Sequence, residues 1–435
     1  MPGRLRASTM RRVKTSGADR RALAAYALVC TGAFALAVGL FARLYRLGYP
    51  SRLVWDEIYF PIFARDYLNG IPFFDLHPPL GKFIIAAGIA LVGDSPVGWR
   101  IMPALFGCAM ILLAAALGWY LFREWVAAVL LATTIACETL LIVYSRTSLM
   151  DGILAFFLLA TFLSAVMARH RWQVLLTMIL LGLAVAVKWA ALPVAVPVGY
   201  ILWRKGLLKP LLWTLWVPAV VYLCVVFVGQ AANPTGAGRD FNDNGTLTNV
   251  VNWHRQALVN VSRAVPNEQA SPWWSWPLMT RPVLLFYQDQ GAGRVATVFA
   301  VGNPLVWWAS TGAVLVGVGE LLWRRLARGT PIADHPLVPI VLGYVCLMLP
   351  WLPGTRIPYL YNYLPSYLFA LLALVYWLCR LWGGRRWGSW VVVGFAAGAV
   401  SLALYFLPLA MGLPTGYENL QQHIWFESWD HDLFR

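Results

Sequence analysis

The chain has 435 residues, of which 60% are apolar and only 12% are charged, whereas an ordinary soluble domain carries about 25% charged residues. This composition excludes a water-soluble globular protein and leaves room for roughly ten membrane spans of about 20 residues each. The net charge of +15 comes from short basic clusters between apolar runs, so we interpret it as a topology signal and expect no nucleic acid partner.

Eleven apolar segments are predicted to be transmembrane helices, and they follow a basic arm, residues 1–21. The segments are 22–44, 98–122, 125–143, 149–168, 173–187, 190–203, 211–230, 303–323, 336–350, 363–380 and 389–411. The remaining basic clusters fall on the same side as the arm, and the positive-inside rule makes that side cytoplasmic. We therefore expect one membrane domain over 22–411 and an external tail over 412–435.

The first predicted external loop, residues 45–97, contains WDEIYF and then FFDLHPPLGK. Asp56 and Glu57 are adjacent carboxylates where the chain has just left the membrane, and an ordinary solvated loop is the alternative interpretation. His77 and Lys82 stand beside two prolines and a glycine, which restrict the backbone in the way a preformed site needs. An apolar stretch that follows is too short to span and is expected to lie in the interface.

Four further charged residues stand at predicted outer helix ends. The turn YSRTSLMD brings Arg146 close to Asp151, either as part of a site or as a pair that neutralises itself. Arg100 and Lys188 lie in apolar sequence, where a charge is costly enough to indicate function. For Lys188, snorkelling to the membrane surface is the alternative.

The second predicted external loop, residues 231–302, carries Arg281 in WPLMTRP. Further on, GTRIPYLYNYLP carries Arg356, Tyr361 and Asn362. Each arginine stands near proline and aromatic residues at a predicted membrane boundary, which suits a lipid phosphate held by a guanidinium. An aromatic belt with an incidental arginine is the alternative.

All six cysteines lie in apolar segments without metal-ligand spacing. The sequence therefore predicts neither a disulfide framework nor a zinc site. We expect no cofactor and no metal.

From about residue 40 to about residue 380, the sequence resembles the protein O-mannosyltransferase family, polytopic all-α glycosyltransferases of the GT-C fold class. The resemblance rests on motifs in the family's order: WDEIYF, FFDLHPPLGK, WRIMPALFG, YSRTSLMDGILAFF, WPLMTRP, GNPLVWW and YLYNYLP. It implies that Asp56 is the catalytic base with Glu57 beside it. It also implies that His77, Lys82, Arg100 and Asp151 lie at the donor cavity. Together with the residues that the sequence itself singles out, they are predicted to bind the donor sugar and phosphate: His77, Lys82, Arg100, Arg146, Asp151, Lys188, Arg281, Arg356, Tyr361 and Asn362.

This chain departs from the eukaryotic members of the family in two ways. It has no room for the soluble sugar-binding repeats of their large loop, and Asn362 stands where a histidine is expected. The short form is typical of bacteria. Other GT-C transferases that act on lipid A or a cell-wall glycan share the same carrier chemistry and stay an alternative. A transporter fits less well, because no internal repeat is evident and the charges collect at helix ends.

The resemblance implies an inverting enzyme of the cell membrane with its active site on the extracytoplasmic side. Its partners would be polyprenyl-phosphate-mannose, the membrane lipid, and an exported acceptor protein with Ser or Thr hydroxyls.

Overall fold

The computed structural model describes residues 17–233, 245–261, 268–353, 358–384 and 387–431. Within these residues the chain is almost entirely helical. The α-helices are α1 Gly17–Leu44, α2 Phe60–Asn69, α3 Leu80–Val92, α4 Pro96–Phe122, α5 Trp125–Cys137, α6 Thr139–Arg146, α7 Met150–Met167, α8 Arg171–Val187, α9 Ala195–Arg204, α10 Leu208–Trp213, α11 Val217–Ala232, α12 Gly245–Val261, α13 Pro304–Leu326, α14 Leu337–Met348, α15 Leu364–Gly383, α16 Gly388–Met411 and α17 Tyr417–His423.

Seven helical stretches of the described chain are long and apolar enough to cross a membrane. They are Asp19–Leu44, Pro96–Phe122, Met150–Met167, Leu208–Ala232, Pro304–Leu326, Leu360–Gly383 and Gly388–Met411. The pair α5 and α6, which is bent by 61°, is an eighth candidate. Helices α8, α9 and α14 occupy the other three predicted segments but are shorter. The predicted polytopic helical fold is confirmed, and seven or eight of its eleven apolar segments have full spanning length.

Basic residues from several predicted cytoplasmic clusters meet at one end of the helix bundle, which we call the basic end. Arg21 at the start of α1 donates to the carbonyl of Trp382 at 3.3 Å. Lys205 donates to the carbonyls of Ala165 and Ala168 at 3.2 and 3.1 Å, where α7 ends. Carbonyls at a helix C-terminus lack a full set of intrahelical partners, so the cations supply donors to them and also interact favourably with the negative pole of the helix dipole.

A small antiparallel sheet joins the second predicted external loop to the tail. Strands β1 Val283–Gly291 and β2 Arg294–Ala300 form a hairpin, and β3 Thr415–Gly416 pairs with β2. The two hairpin-loop residues, Ala292 and Gly293, both have positive φ values (53° and 69°), as a type I′ turn requires. The sequence analysis did not predict this sheet. It brings the tail and the second loop to the same end of the bundle, while their external position stays a prediction.

The bend between α5 and α6 is built around the buried residue Glu138. Its carboxylate accepts hydrogen bonds from the Tyr367 hydroxyl at 2.6 Å and from the Asn303 backbone N–H at 2.9 Å. Arg43, also fully buried, donates to the carbonyls of Ile135 and Ala136 at 2.9 and 3.2 Å. A broken helix inside a membrane is stable only when its freed backbone groups find partners. The bend directs α6 toward the end of the bundle opposite the basic end.

Candidate active site

The first loop is held in place by a buried ion pair between Glu57 and Arg100. Arg100 Nε and Nη2 lie 2.8 and 2.7 Å from the two oxygens of Glu57. The backbone N–H groups of Val54 and Ser148 donate to the same carboxylate at 3.0 and 2.7 Å. A carboxylate offers about four acceptor positions, and these four donors occupy them. Glu57 therefore holds the loop, and its fully buried carboxylate has no acceptor position left for a substrate proton.

All five N–H donors of Arg100 are used. Besides the two bonds to Glu57, its Nη atoms donate to the carbonyls of Leu47, Pro50 and Arg52 at 3.3, 2.7 and 3.0 Å. A guanidinium has five donors, so none remains for a carrier phosphate. This geometry gives Arg100 a role in positioning the loop, while its role in donor binding stays a prediction.

Asp56 has a different environment from its neighbour. It lies in the 3₁₀ helix Trp55–Ile58 and is partly exposed. The phenol of Tyr144 lies within electrostatic range of Asp56 and of Asp151. Trp55 has a φ of 48°, a left-handed conformation that is costly for an aromatic residue and is typical of functional sites.

Lys82 holds the backbone of FFDLHPPLGK, the second motif of the first loop, in place. Its buried ammonium group forms an ion pair with Asp75 and donates to the carbonyls of His77 and Pro78 at 2.7 and 3.2 Å. Burial lowers the pKa of Lys82, and the charge of Asp75 opposes that shift. Since three partners use the three ammonium donors, Lys82 holds the FFDLHPPLGK motif in place, while its contact with the donor stays a prediction.

One pocket collects predicted site residues from four separate parts of the chain, and we call it the central pocket. His77 comes from the first loop, Asp151 from the start of α7, Lys188 from the end of α8, and Asn362 from the segment before α15. Its full lining is Leu76, His77, Asp151, Leu154, Lys188, Trp189, Ala190, Trp351, Asn362 and Pro365. A second pocket beside it also includes His77.

Asp151 and Lys188 form an ion pair in the wall of the central pocket. Lys188 Nζ lies 2.9 and 2.8 Å from the two carboxylate oxygens, and the side chains are only 11% and 7% exposed. Neutralisation of Asp151 by Arg146, the alternative from the sequence, is wrong because Lys188 takes that place. Snorkelling of Lys188 is also wrong, since its ammonium is paired inside the protein.

Arg146 covers the end of α1. Its guanidinium donates to the carbonyl of Tyr45 at 2.9 Å and to that of Ala42 at 2.5 Å. A helix leaves its last four carbonyls without partners, and a basic side chain satisfies them well. The structure therefore shows Arg146 in a helix-capping contact, while its contact with the donor stays a prediction.

The remaining predicted residues divide between the site and its surroundings. Tyr361 packs on Tyr144 and Tyr359, with ring centroids 5.7 and 5.4 Å apart, and its ring lies 5.8 Å from Lys188 Nζ. Arg281 is exposed directly before β1 and lines neither of the two pockets. Arg356 lies outside the described residues.

The sequence analysis did not single out Glu138 and Arg43, the pair of buried groups at the bend between α5 and α6. The sequence feature that could have indicated them is a single charged residue within each of two apolar segments, 22–44 and 125–143. Among the described residues, no group of three or more His, Cys, Asp or Glu side chains is arranged to hold a metal ion. Independence from metal stays a prediction.

Two family profiles match the chain. Residues 33–99 and 94–232 match "Dolichyl-phosphate-mannose-protein mannosyltransferase", and residues 245–429 match "C-terminal four TMM region of protein-O-mannosyltransferase". The polyprenol-phosphate-mannose--protein mannosyltransferases of Corynebacterium glutamicum and Mycobacterium tuberculosis are 26% and 27% identical to the chain. In each case the match covers 81% of both sequences.

Solved structures show the same fold. A chain of the protein O-mannosyltransferase Pmt1-Pmt2 complex of S. cerevisiae, bound to the sugar donor, superposes with a TM-score of 0.80 at 17% identity. The match covers 96% of this chain and 94% of that one. ArnT from Cupriavidus metallidurans is more distant, with a TM-score of 0.54 at 14% identity over 90% and 77% of the two chains.

Proposed function

Since the chain belongs to the protein O-mannosyltransferase family, we propose that it moves mannose from a polyprenyl-phosphate carrier to Ser and Thr hydroxyls of exported proteins. It is a multi-pass membrane glycosyltransferase of the GT-C fold. The proposal extends to its place in the cell: the plasma membrane, with the active site on the extracytoplasmic side.

The observation that carries the proposal is the contrast between two neighbouring carboxylates of the first loop. The carboxylate of Glu57 is buried and accepts four hydrogen bonds, whereas Asp56 is partly exposed on the same short helix. The central pocket contains the Asp151–Lys188 pair, and the Tyr144 phenol lies within electrostatic range of both Asp56 and Asp151. A rigid loop therefore holds one partly exposed carboxylate, and the Tyr144 phenol connects it electrostatically to a polar pocket that suits a phosphate and a sugar.

In the proposed reaction, the Ser or Thr hydroxyl oxygen attacks C1 of the mannose while Asp56 accepts the hydroxyl proton. The bond from C1 to the carrier phosphate oxygen breaks, and its electron pair leaves with the polyprenyl phosphate. A hydroxyl is a poor nucleophile at neutral pH, so a positioned base accelerates the attack. A single displacement inverts the configuration at C1.

The leaving phosphate gains negative charge as the bond breaks. Lys188 has three ammonium donors, and its bonds to Asp151 leave one for the pocket. A cation held in a site of low dielectric stabilises such charge more strongly than it would in water. We assign Arg356 a second contact with the same phosphate, because it precedes the segment that supplies Asn362 to the pocket.

The direct test is to incubate the purified protein with radiolabelled polyprenyl-phosphate-mannose and a Ser/Thr-rich peptide. We expect label in the peptide, bound through oxygen in α linkage. A matched peptide with alanine at every Ser and Thr is the control. Label in lipid A or a glycan, with none in the peptide, would support the other GT-C transferases instead.

A further inference from the structure

Trp189 follows Lys188 directly and lines the central pocket beside His77 and Asp151. Its indole N–H donates to the Tyr222 hydroxyl on α11 at 2.9 Å. The Tyr222 hydroxyl in turn lies 2.7 Å from Nε2 of His254 on α12. A hydrogen-bonded row of three side chains therefore connects the pocket wall to a helix of the second loop.

The direction of these bonds follows from the partners. His254 Nδ1 lies 2.7 Å from the carbonyl of Val250, which can only accept, so Nδ1 carries a proton. In the neutral form of the imidazole, Nε2 is then the acceptor. The Tyr222 hydroxyl then donates to His254 and accepts from Trp189, because an indole N–H is a donor only. Each donor in the row has one acceptor, which fixes the orientation of the indole.

Trp253, the residue before His254, connects α12 to the first-loop motif FFDLHPPLGK. Trp253 is buried and donates from Nε1 to the carbonyl of Asp75 at 2.9 Å, and Asp75 is the ion-pair partner of Lys82. Trp253 also lines the second pocket. Two adjacent side chains of α12 therefore reach the first-loop motif and the wall of the central pocket.

We propose that Trp189 is the platform on which the donor's pyranose ring lies, and that Tyr222 and His254 are positioning residues that hold its indole there. The inference rests on the proposed function and names the donor contact of that same site. The other polar groups of the wall, His77, Asp151, Lys188 and Asn362, suit hydroxyl and phosphate groups. An indole adds the apolar surface that the C–H face of a sugar needs.

The experiment compares two ligands on the full-length protein: polyprenyl-phosphate-mannose and the same polyprenyl phosphate without sugar. Binding is measured by the ligand-induced rise in unfolding temperature, and turnover by peptide mannosylation. Trp189→Ala should weaken binding of the sugar-bearing ligand by about tenfold, as expected for the loss of an aromatic contact. It should leave binding of the sugar-free carrier unchanged. Equal losses for both ligands would place Trp189 against the lipid and overturn the proposal.

The positioning role is tested without removing the indole. Tyr222→Phe and His254→Leu break the hydrogen-bonded row and should raise the donor KM about threefold or more, with kcat and the peptide KM unchanged. His254→Gln restores an acceptor for Tyr222 and should bring the donor KM back toward that of the wild type. Arg255→Gln, on the exposed neighbour of His254, is the matched control. A donor KM equal to that of the wild type in both row-breaking variants would overturn the positioning role.

The binding measurement keeps this proposal separate from the proposed function. A wild-type protein that binds the mannose carrier but does not label peptide would contradict the proposed acceptor and leave the test of Trp189 intact. If the wild-type protein labels the peptide and Trp189→Ala binds both ligands normally, the role of Trp189 is contradicted and the proposed function stands.

Discussion

At the scale of single residues, the two adjacent carboxylates of the first loop differ in what surrounds them. Glu57 is buried and receives two bonds from Arg100 and two from backbone N–H groups. Asp56 is partly exposed, next to a residue in a left-handed conformation. Because proton transfer needs an oxygen that the substrate can reach, this difference favours Asp56 as the base.

Replacing Asp56 with Asn should lower kcat by a factor of about 10² to 10⁴, because the amide keeps the size of the carboxylate but cannot accept the hydroxyl proton. Donor binding and the unfolding temperature should stay near those of the wild type. Single-turnover mannosylation under saturating donor measures the loss. Near-normal turnover in Asp56→Asn would remove Asp56 from the role of base.

Replacing Glu57 with Gln should act mainly on stability. It leaves the Arg100 guanidinium buried with an uncompensated charge, and breaking a buried pair in this way costs about 3–5 kcal/mol. Thermal unfolding in a mild detergent measures the effect. Wild-type stability together with abolished turnover in Glu57→Gln would instead make Glu57 the base.

Replacing Arg356 with Ala should weaken both donor binding and turnover, because a phosphate contact acts before and during the reaction. Donor KM and kcat, measured on the same preparation, separate this outcome from a pure loss of catalysis. An unchanged donor KM would argue against a phosphate contact at this position.

At the scale of elements, two buried arginines join helix ends, and only one of them, Arg146, was a predicted site residue. Arg146 on α6 covers the last carbonyls of α1, and Arg43 on α1 covers those of α5 at the bend. One arginine therefore reaches from α6 to the end of α1, and the other reaches from α1 to the end of α5. The bend in turn directs α6 away from the basic end, and Tyr144 on α6 contacts Tyr361, the residue before Asn362 of the central pocket.

Arg146→Met should therefore lower the unfolding temperature while leaving the donor KM of the folded fraction unchanged. The methionine keeps much of the apolar stem but leaves buried carbonyls without donors, each at a cost of about 1–3 kcal/mol. Unfolding and donor titration on the same sample test this. A raised donor KM with normal stability would support a role of Arg146 in donor binding, as predicted from the sequence.

At the scale of the whole molecule, predicted cytoplasmic basic residues lie at one end of the helix bundle, and the charged residues of the central pocket lie at predicted outer helix ends. Basic groups such as Arg21 and Lys205 lie at the basic end, and the central pocket is lined from predicted outer helix ends. The sheet brings the tail beside the second loop. The proposed function needs such an arrangement, because a carrier must keep its apolar tail in lipid while its phosphate and sugar reach the pocket.

Single cysteines at Gln290 and Ala327 should label from opposite sides of the membrane, with Gln290 on the extracytoplasmic side. Both residues are exposed, one on the hairpin and one after α13, and the positive-inside rule makes the basic end cytoplasmic. A membrane-impermeant maleimide on intact cells is the reagent, in a background where the exposed Cys30 and Cys224 are serine. Labelling of residue 327 but not of residue 290 in intact cells would show that the topology is the opposite of the predicted one.

Chelation should leave mannosylation unchanged, because a carrier phosphate is already a competent leaving group and nearby cations can stabilise its charge. Turnover measured with excess EDTA, and again after adding Mg²⁺ or Mn²⁺, tests this. A loss that either ion restores would show a metal requirement.

The sequence by itself determined the membrane class, the polytopic helical fold and the family. Long apolar runs, basic clusters and linear motifs depend on residues close together in the chain, and the bilayer imposes one main constraint on all of them. The same reasoning placed Asp56, Asp151 and Lys188 at one end of the molecule.

Only the tertiary structure decided which charges pair. The partner of Arg100 is Glu57, 43 residues away, and the partner of Lys188 is Asp151, 37 residues away. No local pattern fixes such distances, so Arg146 had Asp151 as its predicted partner but caps α1 instead. The hairpin with its third strand from the tail, and the bend at Glu138, also depend on neighbours that meet only after folding. The physical reason is the same in each case: a buried charge or an open backbone group takes the partner that packing brings within hydrogen-bond distance.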